Sequence, residues 1–159
     1  IRVDYEGFTI WLDCSKRGAV KFRYVAQPDT GKLNRVRTFS MDPDVPAKCQ
    51  QTSTALYQYP DVHYDRGHLV PANHFDHSEK ALKQSNFATN FLPQVLEMNR
   101  GAWLRTEQLI ECYRDRDKLV VIGGVIYWKF IRTTDEQALE AAQAALKLAE
   151  EADKKESAK

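Results

Sequence analysis

Two short segments near the start of the chain alternate apolar and polar residues. Residues 8–12 and 19–25 follow this pattern, and in the second segment Phe22 and Tyr24 share one side. A period of two is typical of a β-strand with one buried face. Residues 15–18 (SKRG) between the segments have the composition of a turn. The pattern predicts a strand pair with one face in a hydrophobic core.

Helical patterns occupy the second half of the sequence. We expect a short helix over residues 78–84 with Ser78 as its N-cap, because a serine hydroxyl accepts hydrogen bonds from free amides there. A longer helical pattern covers about residues 98–113, and residues 133–159 are amphipathic. Residues 119–127, with a central glycine pair, are expected to form a buried strand. Separate strands and helices favour an α+β fold.

Length and composition are those of one ordinary globular domain. A chain of 159 residues, 43% hydrophobic and 28% charged, buries enough surface to fold without metals or disulfides. No apolar stretch has the length of a membrane span, so we expect no membrane association. The first residues are typical of a strand inside a domain and not of a signal peptide, while the start at Ile1 without methionine is compatible with processing. Residues 47–64 have no period and are expected to form an irregular surface connection.

The net charge of +1 hides an asymmetry along the chain. Residues 133–159 carry seven acids and four lysines, a net charge of −3, which leaves +4 on residues 1–132. A mildly basic body is compatible with binding a polyanion but does not require it.

Three cysteines allow two interpretations. Cys14, Cys49 and Cys112 lack the paired short spacings of a zinc site. They are either three ordinary thiols, or Cys14 and Cys49 form a disulfide in an exported protein while Cys112 lies inside, on a helix.

Two polar blocks hold chemically useful groups. Asp65-Arg66-Gly67-His68 combines a carboxylate, a guanidinium and an imidazole, and a neutral imidazole can take a proton from water near pH 7. Further along, Asn99 offers an amide oxygen, a suitable ligand for Mg²⁺. A base, a cation and an oxygen ligand for a hard metal ion are the groups that phosphodiester hydrolysis needs.

Three blocks in order carry a resemblance to a known family. They are Asp65-Arg66-Gly67-His68, then Asn90-Phe91-Leu92-Pro93-Gln94, then Asn99-Arg100-Gly101-Ala102-Trp103. Together they resemble the sugar-non-specific DNA/RNA endonucleases, which include secreted bacterial nucleases and mitochondrial endonuclease G. The resemblance implies an α+β fold with a central antiparallel sheet, flanking helices and a ββα-metal finger. We expect residues 1–132 to form the catalytic domain and residues 133–159 a C-terminal amphipathic helix.

The resemblance also implies a set of site residues. His68 would be the general base, and Asn99 the ligand of a Mg²⁺ ion that Mn²⁺ can replace. Glu107 would hold a metal-bound water, and eight helical steps of about 100° return it to within roughly 80° of the face of Asn99. Asn90 would help to position the substrate and the catalytic centre.

Three further residues are assigned to substrate binding. Arg66, with Asp65 beside it, would contact phosphate or tie the site together. Arg37, which precedes an Asp-Pro pair, matches an arginine that contacts phosphate in the family. Glu111 departs from the pattern, because some members carry an arginine at this position.

Each of these assignments has a simpler alternative. Asn99 could serve only as a helix N-cap, and Glu107 could be a solvated helix residue. His74 and His77 form a His-x-x-His spacing that could bind a metal, but they have no other ligands nearby in the sequence and are more simply ordinary histidines.

A second departure concerns residues 124–130. In the family a loop separates the strand that ends in Gly-x-Val-Tyr from a later aromatic-Lys-aromatic strand, but here Tyr127 is followed directly by Trp128. Either this member is shortened, or a loop is missing between the two residues. We favour the missing loop, because a chain cannot pass between two buried strands without a turn.

The residues and the resemblance together predict an endonuclease that hydrolyses DNA and RNA with little sequence preference. The alternatives are a nucleic-acid-binding module with a decayed active site and a phosphodiesterase of small molecules on the same finger. DNA and RNA are the expected partners, and both a homodimer and a monomer remain open. We expect a secreted or periplasmic protein, with the mitochondrial intermembrane space as the alternative.

Overall fold

A computed structural model describes residues 1–35, 38–57 and 63–127. Its strands are β1 (Arg2–Asp4), β2 (Phe8–Asp13), β3 (Gly18–Ala26), β4 (Tyr64–His68), β5 (Phe91–Val95) and β6 (Leu119–Gly124). Its helices are α1 (Glu79–Ser85) and α2 (Leu104–Arg114), and a π-helical segment, Met98–Trp103, leads directly into α2. Short 3-10 turns occur at Ala47–Cys49, Ala55–Tyr57 and Ala72–His74. The predictions for Arg37, for a loop after residue 127 and for a helix over residues 133–159 lie outside the described residues.

The predicted strand pair is confirmed and forms the centre of a four-stranded antiparallel sheet. β2 and β3 pair with Ile10 opposite Phe22, and the register shifts between Trp11 and Leu12. The strand order is β1-β2-β3-β6. β1 pairs with β2 at one edge, and β6 pairs with β3 at the other.

The strand predicted over residues 119–127 forms as β6, but the prediction that it is buried is wrong. β6 has one neighbouring strand among the described residues, and the Val120 side chain is 56% exposed. One glycine of the pair has a packing reason, since a Cβ on Gly123 would lie 2.1 Å from the Phe22 ring. The apolar run therefore forms a half-buried edge strand whose glycine lets the phenylalanine ring lie against the backbone.

The core lies between the sheet and the segment that follows β4. Ile10, Phe22 and Tyr24 project from the sheet and are buried. Phe75, which is also buried, packs against them with its ring centroid 5.8 Å from that of Tyr24. The apolar side of the alternating strands thus meets the chain that leads from β4 to α1.

Helix α1 begins where the sequence predicts. The Ser78 hydroxyl accepts a hydrogen bond from the backbone amide of Ala81, which confirms Ser78 as the N-cap. Ala81 and Leu82 on this helix are buried. The cap and the buried face fix α1, and with it Asn86 just beyond the helix end, against the core.

β4, β5 and the following helix form the predicted ββα finger. β4 and β5 are antiparallel, with His68 opposite Phe91. A Cβ on Gly67 would lie 2.1 Å from the Gln94 side chain, so Gln94 packs across β4 only because residue 67 is glycine. The Trp103 indole Nε1 donates to the His68 backbone oxygen at 2.9 Å, which ties the helix to the end of β4.

Of the two interpretations of the cysteines, the structure agrees with the one that includes a disulfide. Cys14 and Cys49 form a disulfide across a sequence separation of 35 residues. Cys112 is a free thiol on the exposed side of α2, so the expectation that it lies inside is wrong. Over the described ranges, none of the helices has both the length and the apolar character needed to cross a membrane.

Candidate active site

The end of β4 and the finger helix enclose a cleft of about 180 Å³. Four of the residues assigned from the sequence line it together, namely Arg66, His68, Asn99 and Glu107. Arg35, Asn73 and Arg100 also line this cleft. The fold therefore brings an imidazole, three arginines and three oxygen-bearing side chains to one place.

His68 is buried in the cleft wall and is held by Asn86. Its Nε2 lies 3.3 Å from the Asn86 Oδ1, and the Asn86 amide nitrogen donates to the Leu82 backbone oxygen at 2.9 Å. Because the amide oxygen can only accept, the neutral ring that satisfies this contact carries its proton on Nε2. Nδ1 is then the nitrogen with a free lone pair.

The surroundings of His68 keep its imidazole neutral. Burial, reinforced by the positive charge of Arg35, lowers the pKa of His68 to about 4. The Asn86 side chain and the Arg66 backbone partly oppose this fall. At pH 7 the ring is therefore in the form that can accept a proton.

Asn99 lies inside the π-helical segment and is oriented by Asp65. Its amide nitrogen donates to the Asp65 carboxylate at 2.9 Å, while Arg100 binds both oxygens of the same carboxylate at 2.8 and 2.9 Å. The bidentate Arg100 contact holds the pKa of Asp65 below its usual value, so the carboxylate stays charged. Within the described ranges nothing donates to the Asn99 Oδ1, which leaves this oxygen available to a ligand.

These contacts bear on two of the assignments. The helical backbone begins before Asn99, since Glu97 already has helical dihedral angles, so the alternative of Asn99 as an N-cap is wrong. The Asp65 carboxylate is bonded to Arg100 and Asn99 and would repel phosphate, so its contacts do not favour the predicted role in substrate binding. Asp65 instead fixes the orientation of the two residues that face the cleft.

Glu107 is half-buried and shares the cleft with Asn99. Burial raises the pKa of Glu107 to about 7, an effect that Trp103 and Arg35 partly oppose and Glu111 reinforces. The alternative of a solvated helix residue is therefore wrong. A π-helix has more residues per turn than an α-helix, so the segment Met98–Trp103 reduces the rotation per residue and brings Glu107 back towards the face of Asn99.

The donor set of the cleft fits a hard divalent cation. Asn99 supplies a neutral oxygen, and Glu107 supplies a carboxylate that burial has deprived of water. Such oxygen donors are those that Mg²⁺ takes, with water filling its other positions. In the part of the chain that the structure describes, no three His, Cys, Asp or Glu side chains cluster as metal ligands.

The His74 and His77 pair does not form a metal site. His74 is buried beneath α2, and its Nδ1 lies 3.1 Å from the Tyr24 hydroxyl. His77 is exposed on the surface beside the Phe75 ring. The two histidines therefore have different environments, and the alternative of an ordinary core and surface histidine holds.

Asn90 has a structural position and does not line the cleft. Its side chain is fully buried, and its amide bonds to the backbone N–H and oxygen of Val70 and to the Ser85 oxygen, at 2.8–3.0 Å. A direct contact with substrate is thus ruled out for the Asn90 side chain. Its place is to hold the segment after His68 against the end of α1.

Two further residues of the site gave no usable signal in the sequence. Asn86 meets His68 only because α1 packs behind β4, and no motif marks it. Arg35 lies two positions before Arg37 and lines the cleft, although the sequence pointed to Arg37.

Arg66 is exposed and stacks on the Phe39 ring, with its guanidinium carbon 4.6 Å from the ring centroid.

Comparisons with known proteins agree with this geometry. Nuclease C1 of Cunninghamella echinulata var. echinulata is 36% identical over 70 residues, which are 43% of this chain and 27% of that protein. EndoG in the EndoG/EndoGI complex, a structure that concerns the mechanism of EndoG inhibition, matches with a TM-score of 0.70 and 19% identity over 80% of this chain and 54% of that chain. The chain thus spans about a quarter of Nuclease C1 and about half of the EndoG chain. The likeness to EndoG shows a shared fold.

The match that decides the family covers nearly the whole sequence. The sequence profile of the DNA/RNA non-specific endonucleases (Endonuclease_NS) matches residues 2–152. The three sequence blocks, the ββα finger and this match agree, and the chain belongs to the DNA/RNA non-specific endonuclease family.

Proposed function

We propose that the protein is a Mg²⁺-dependent endonuclease that hydrolyses phosphodiester bonds of DNA and RNA with little sequence preference. The observation that carries this proposal is the neutral, buried imidazole of His68 in one cleft with arginines and two oxygen donors. Family membership supports the same reaction class.

In this mechanism His68 is the general base. Its Nδ1 takes a proton from a water molecule as the water oxygen attacks phosphorus, and the bond from phosphorus to the 3′ oxygen breaks. Asn86 keeps the ring oriented through Nε2 and stabilises the imidazolium that forms. Because the pKa of His68 is about 4, the free base is present over the whole physiological pH range.

Asn99 and Glu107 would hold the metal ion, Asn99 directly through Oδ1 and Glu107 through a bound water. When bound, Mg²⁺ would polarise the phosphate and stabilise charge on the leaving oxygen, and Mn²⁺ would replace it. The Asn99 amide nitrogen bonds to the Asp65 carboxylate. The Asn99 Oδ1 therefore points away from that carboxylate.

Arg66 and Arg35 supply positive charge at the cleft. Both line it, so they can neutralise the charge that builds on the phosphoryl oxygens. Such contacts read the backbone and not the bases, which agrees with low sequence preference. Arg37 stays a proposed phosphate contact from the sequence.

A plasmid-relaxation assay with and without EDTA tests this proposal. We expect nicking and linearisation of DNA and degradation of RNA in Mg²⁺, and neither in EDTA. DNA binding without cleavage in Mg²⁺ would instead indicate a decayed binding module. Hydrolysis of small phosphodiesters with intact plasmid would indicate the small-molecule enzyme.

The disulfide bears on the compartment. Disulfides persist in oxidising environments and are rare in the cytosol, so the Cys14–Cys49 bond supports a secreted or periplasmic protein, or one of the mitochondrial intermembrane space. Peptide mapping of protein from its native compartment under non-reducing conditions tests this assignment.

A further inference from the structure

A second cleft lies beside the candidate active site and shares Arg66 with it. Its volume is about 230 Å³, and it is lined by residues 39–41 and 51–54 together with Arg66, Ala88 and Phe91. Arg66 lines both clefts. A substrate that places a phosphate at Arg66 in the first cleft can therefore continue into the second.

Phe39 lines the second cleft and contacts two residues of the first, Arg66 and His68. The Arg66 guanidinium lies over its ring at 4.6 Å, and the ring centroids of His68 and Phe91 are 5.7 and 5.4 Å away. Because Arg66 already stacks on Phe39, this ring is a poor platform for a nucleobase. The cleft is therefore suited to the sugar and phosphate of a nucleotide and not to stacking of its base.

The hydroxyl groups of the cleft divide into two kinds. The Thr52 hydroxyl accepts a hydrogen bond from Arg17 at 3.2 Å, and the Ser53 hydroxyl accepts one from the Ala55 amide at 3.1 Å. The side chains of Ser40 and Thr54 bond to no other group in the part of the chain that is described. These two hydroxyls are free to donate to, or accept from, a ligand.

The charge and size of the second cleft also suit the sugar and phosphate of a nucleotide. None of the described residues that line it is acidic, and Arg66 contributes a positive charge. Sites that hold a whole small molecule span roughly 300–1,000 Å³. A smaller cleft of this kind suits one unit of a longer substrate that is also bound in the candidate active site.

We propose that the second cleft is a subsite for the sugar-phosphate unit of the nucleotide next to the scissile phosphate. In this arrangement the Ser40 and Thr54 hydroxyls bond to sugar or phosphate oxygens, and Arg66 lies between the scissile phosphate and its neighbour. The inference rests on the proposed function and adds to it a requirement for a nucleotide on one side of the cut.

The test uses DNA oligonucleotides in which phosphorothioates, which keep the negative charge of the backbone, leave one readily cleavable phosphodiester, with or without an additional nucleotide on either side of it. The Ser40→Ala/Thr54→Val double variant removes both free hydroxyls with little change in shape. Thr9→Val is the matched control, because Thr9 lies on β2 and its hydroxyl bonds to Asp4, outside both clefts. Thermal unfolding of all three proteins checks that they are folded.

For the substrate that is extended on the preferred side, we expect the double variant to raise KM about tenfold, the loss of two ordinary hydrogen bonds, with kcat within about twofold. The KM for the unextended substrate and for bis(p-nitrophenyl) phosphate should not change. An unchanged KM for every substrate, or an equal increase for all of them, would overturn the subsite. Failure of the wild-type protein to cleave any oligonucleotide would instead refute the proposed function.

Discussion

Asn86→Asp should convert the neutral base of the site into one that is protonated in mild acid. Asn86 Oδ1 lies 3.3 Å from His68 Nε2, so the substitution places a carboxylate against the ring almost without a change in shape. A negative charge there stabilises the imidazolium and raises the pKa of His68. Because the base must be neutral to act, cleavage should then fail at a higher pH than in the wild type.

The size of the effect follows from the distance. Two unit charges 3.3 Å apart interact by about 5 kcal/mol at an effective dielectric constant of about 20, which corresponds to about 3.7 pKa units. This figure is an upper limit, because a buried carboxylate is itself desolvated. From about 4 in the wild type, the pKa of His68 should therefore rise by roughly two units or more. At pH 5 the variant should be about tenfold or more slower than the wild type, and at pH 8 it should approach the wild-type rate.

Two measurements check this prediction. The pH dependence of kcat/KM compares the variant with the wild type, and Glu107 titrates in both proteins, so the ratio reports on His68. Titration of the His68 ring protons by NMR gives its pKa directly. Gln27→Glu, which adds the same charge at an exposed position outside both clefts, is the control. A His68 pKa within about half a unit of the wild-type value would refute the assignment of Asn86 as its partner.

Three further predictions concern the metal ligands and the disulfide. Asn99→Ala should raise the Mg²⁺ concentration needed for half-maximal cleavage, and Asn99→Asp should lower it without restoring full rate; an unchanged titration in Asn99→Ala would place the ion elsewhere. Because the pKa of Glu107 is about 7, the Mg²⁺ requirement should increase as the pH falls from 8 to 6, and Glu107→Gln should raise the requirement and abolish this trend. A pH trend that persists in Glu107→Gln would contradict the proposed role. Replacing Cys14 and Cys49 by serine should lower the free energy of unfolding by about 2–4 kcal/mol in urea denaturation, whereas Cys112→Ser should have little effect. Equal stability of the disulfide variant and the wild type would show that the bond is absent in solution.

The parts of the fold that were predictable from the sequence are those with strong local signals. Alternation identified β2 and β3, and a serine before an apolar helical pattern identified the start of α1. β1 has only three residues and carries no such signal, so its place at the sheet edge depends on pairing with β2. The burial of β6 was overestimated, because an apolar run has the same pattern at the edge of a sheet as at its centre.

The residues of the site that were predictable are those that lie in a recognisable block of sequence. His68 and Asn99 belong to such blocks, and the fold places both in one cleft. The position of Glu107 was predictable only to within roughly 80° of the face of Asn99, because the π-helical segment that reduces this angle has no sequence signature. The contacts of Asp65 with Asn99 and Arg100 were not predictable, because these partners are distant in the sequence and meet Asp65 only through the finger.

The residues that no motif marks are positioned by tertiary packing alone. Asn86 contacts His68 because α1 ends behind β4, and Arg35 reaches the cleft from an irregular segment. Asn90 lies within a recognisable block, yet its amide bonds to backbone groups beneath the site. A sequence block thus identifies a region of the site but does not separate the residues that face the cleft from those that support it.

The central claim is that His68 is the base of the chemical step, and single-turnover cleavage by His68→Ala tests it most directly. The rate should fall on the order of 10²–10⁴-fold while DNA affinity, measured by fluorescence anisotropy, stays within about twofold, because the base acts only in the transition state. His77→Ala, which changes an exposed histidine outside the cleft, should retain the wild-type rate. A His68→Ala rate within about threefold of the wild type would contradict the account.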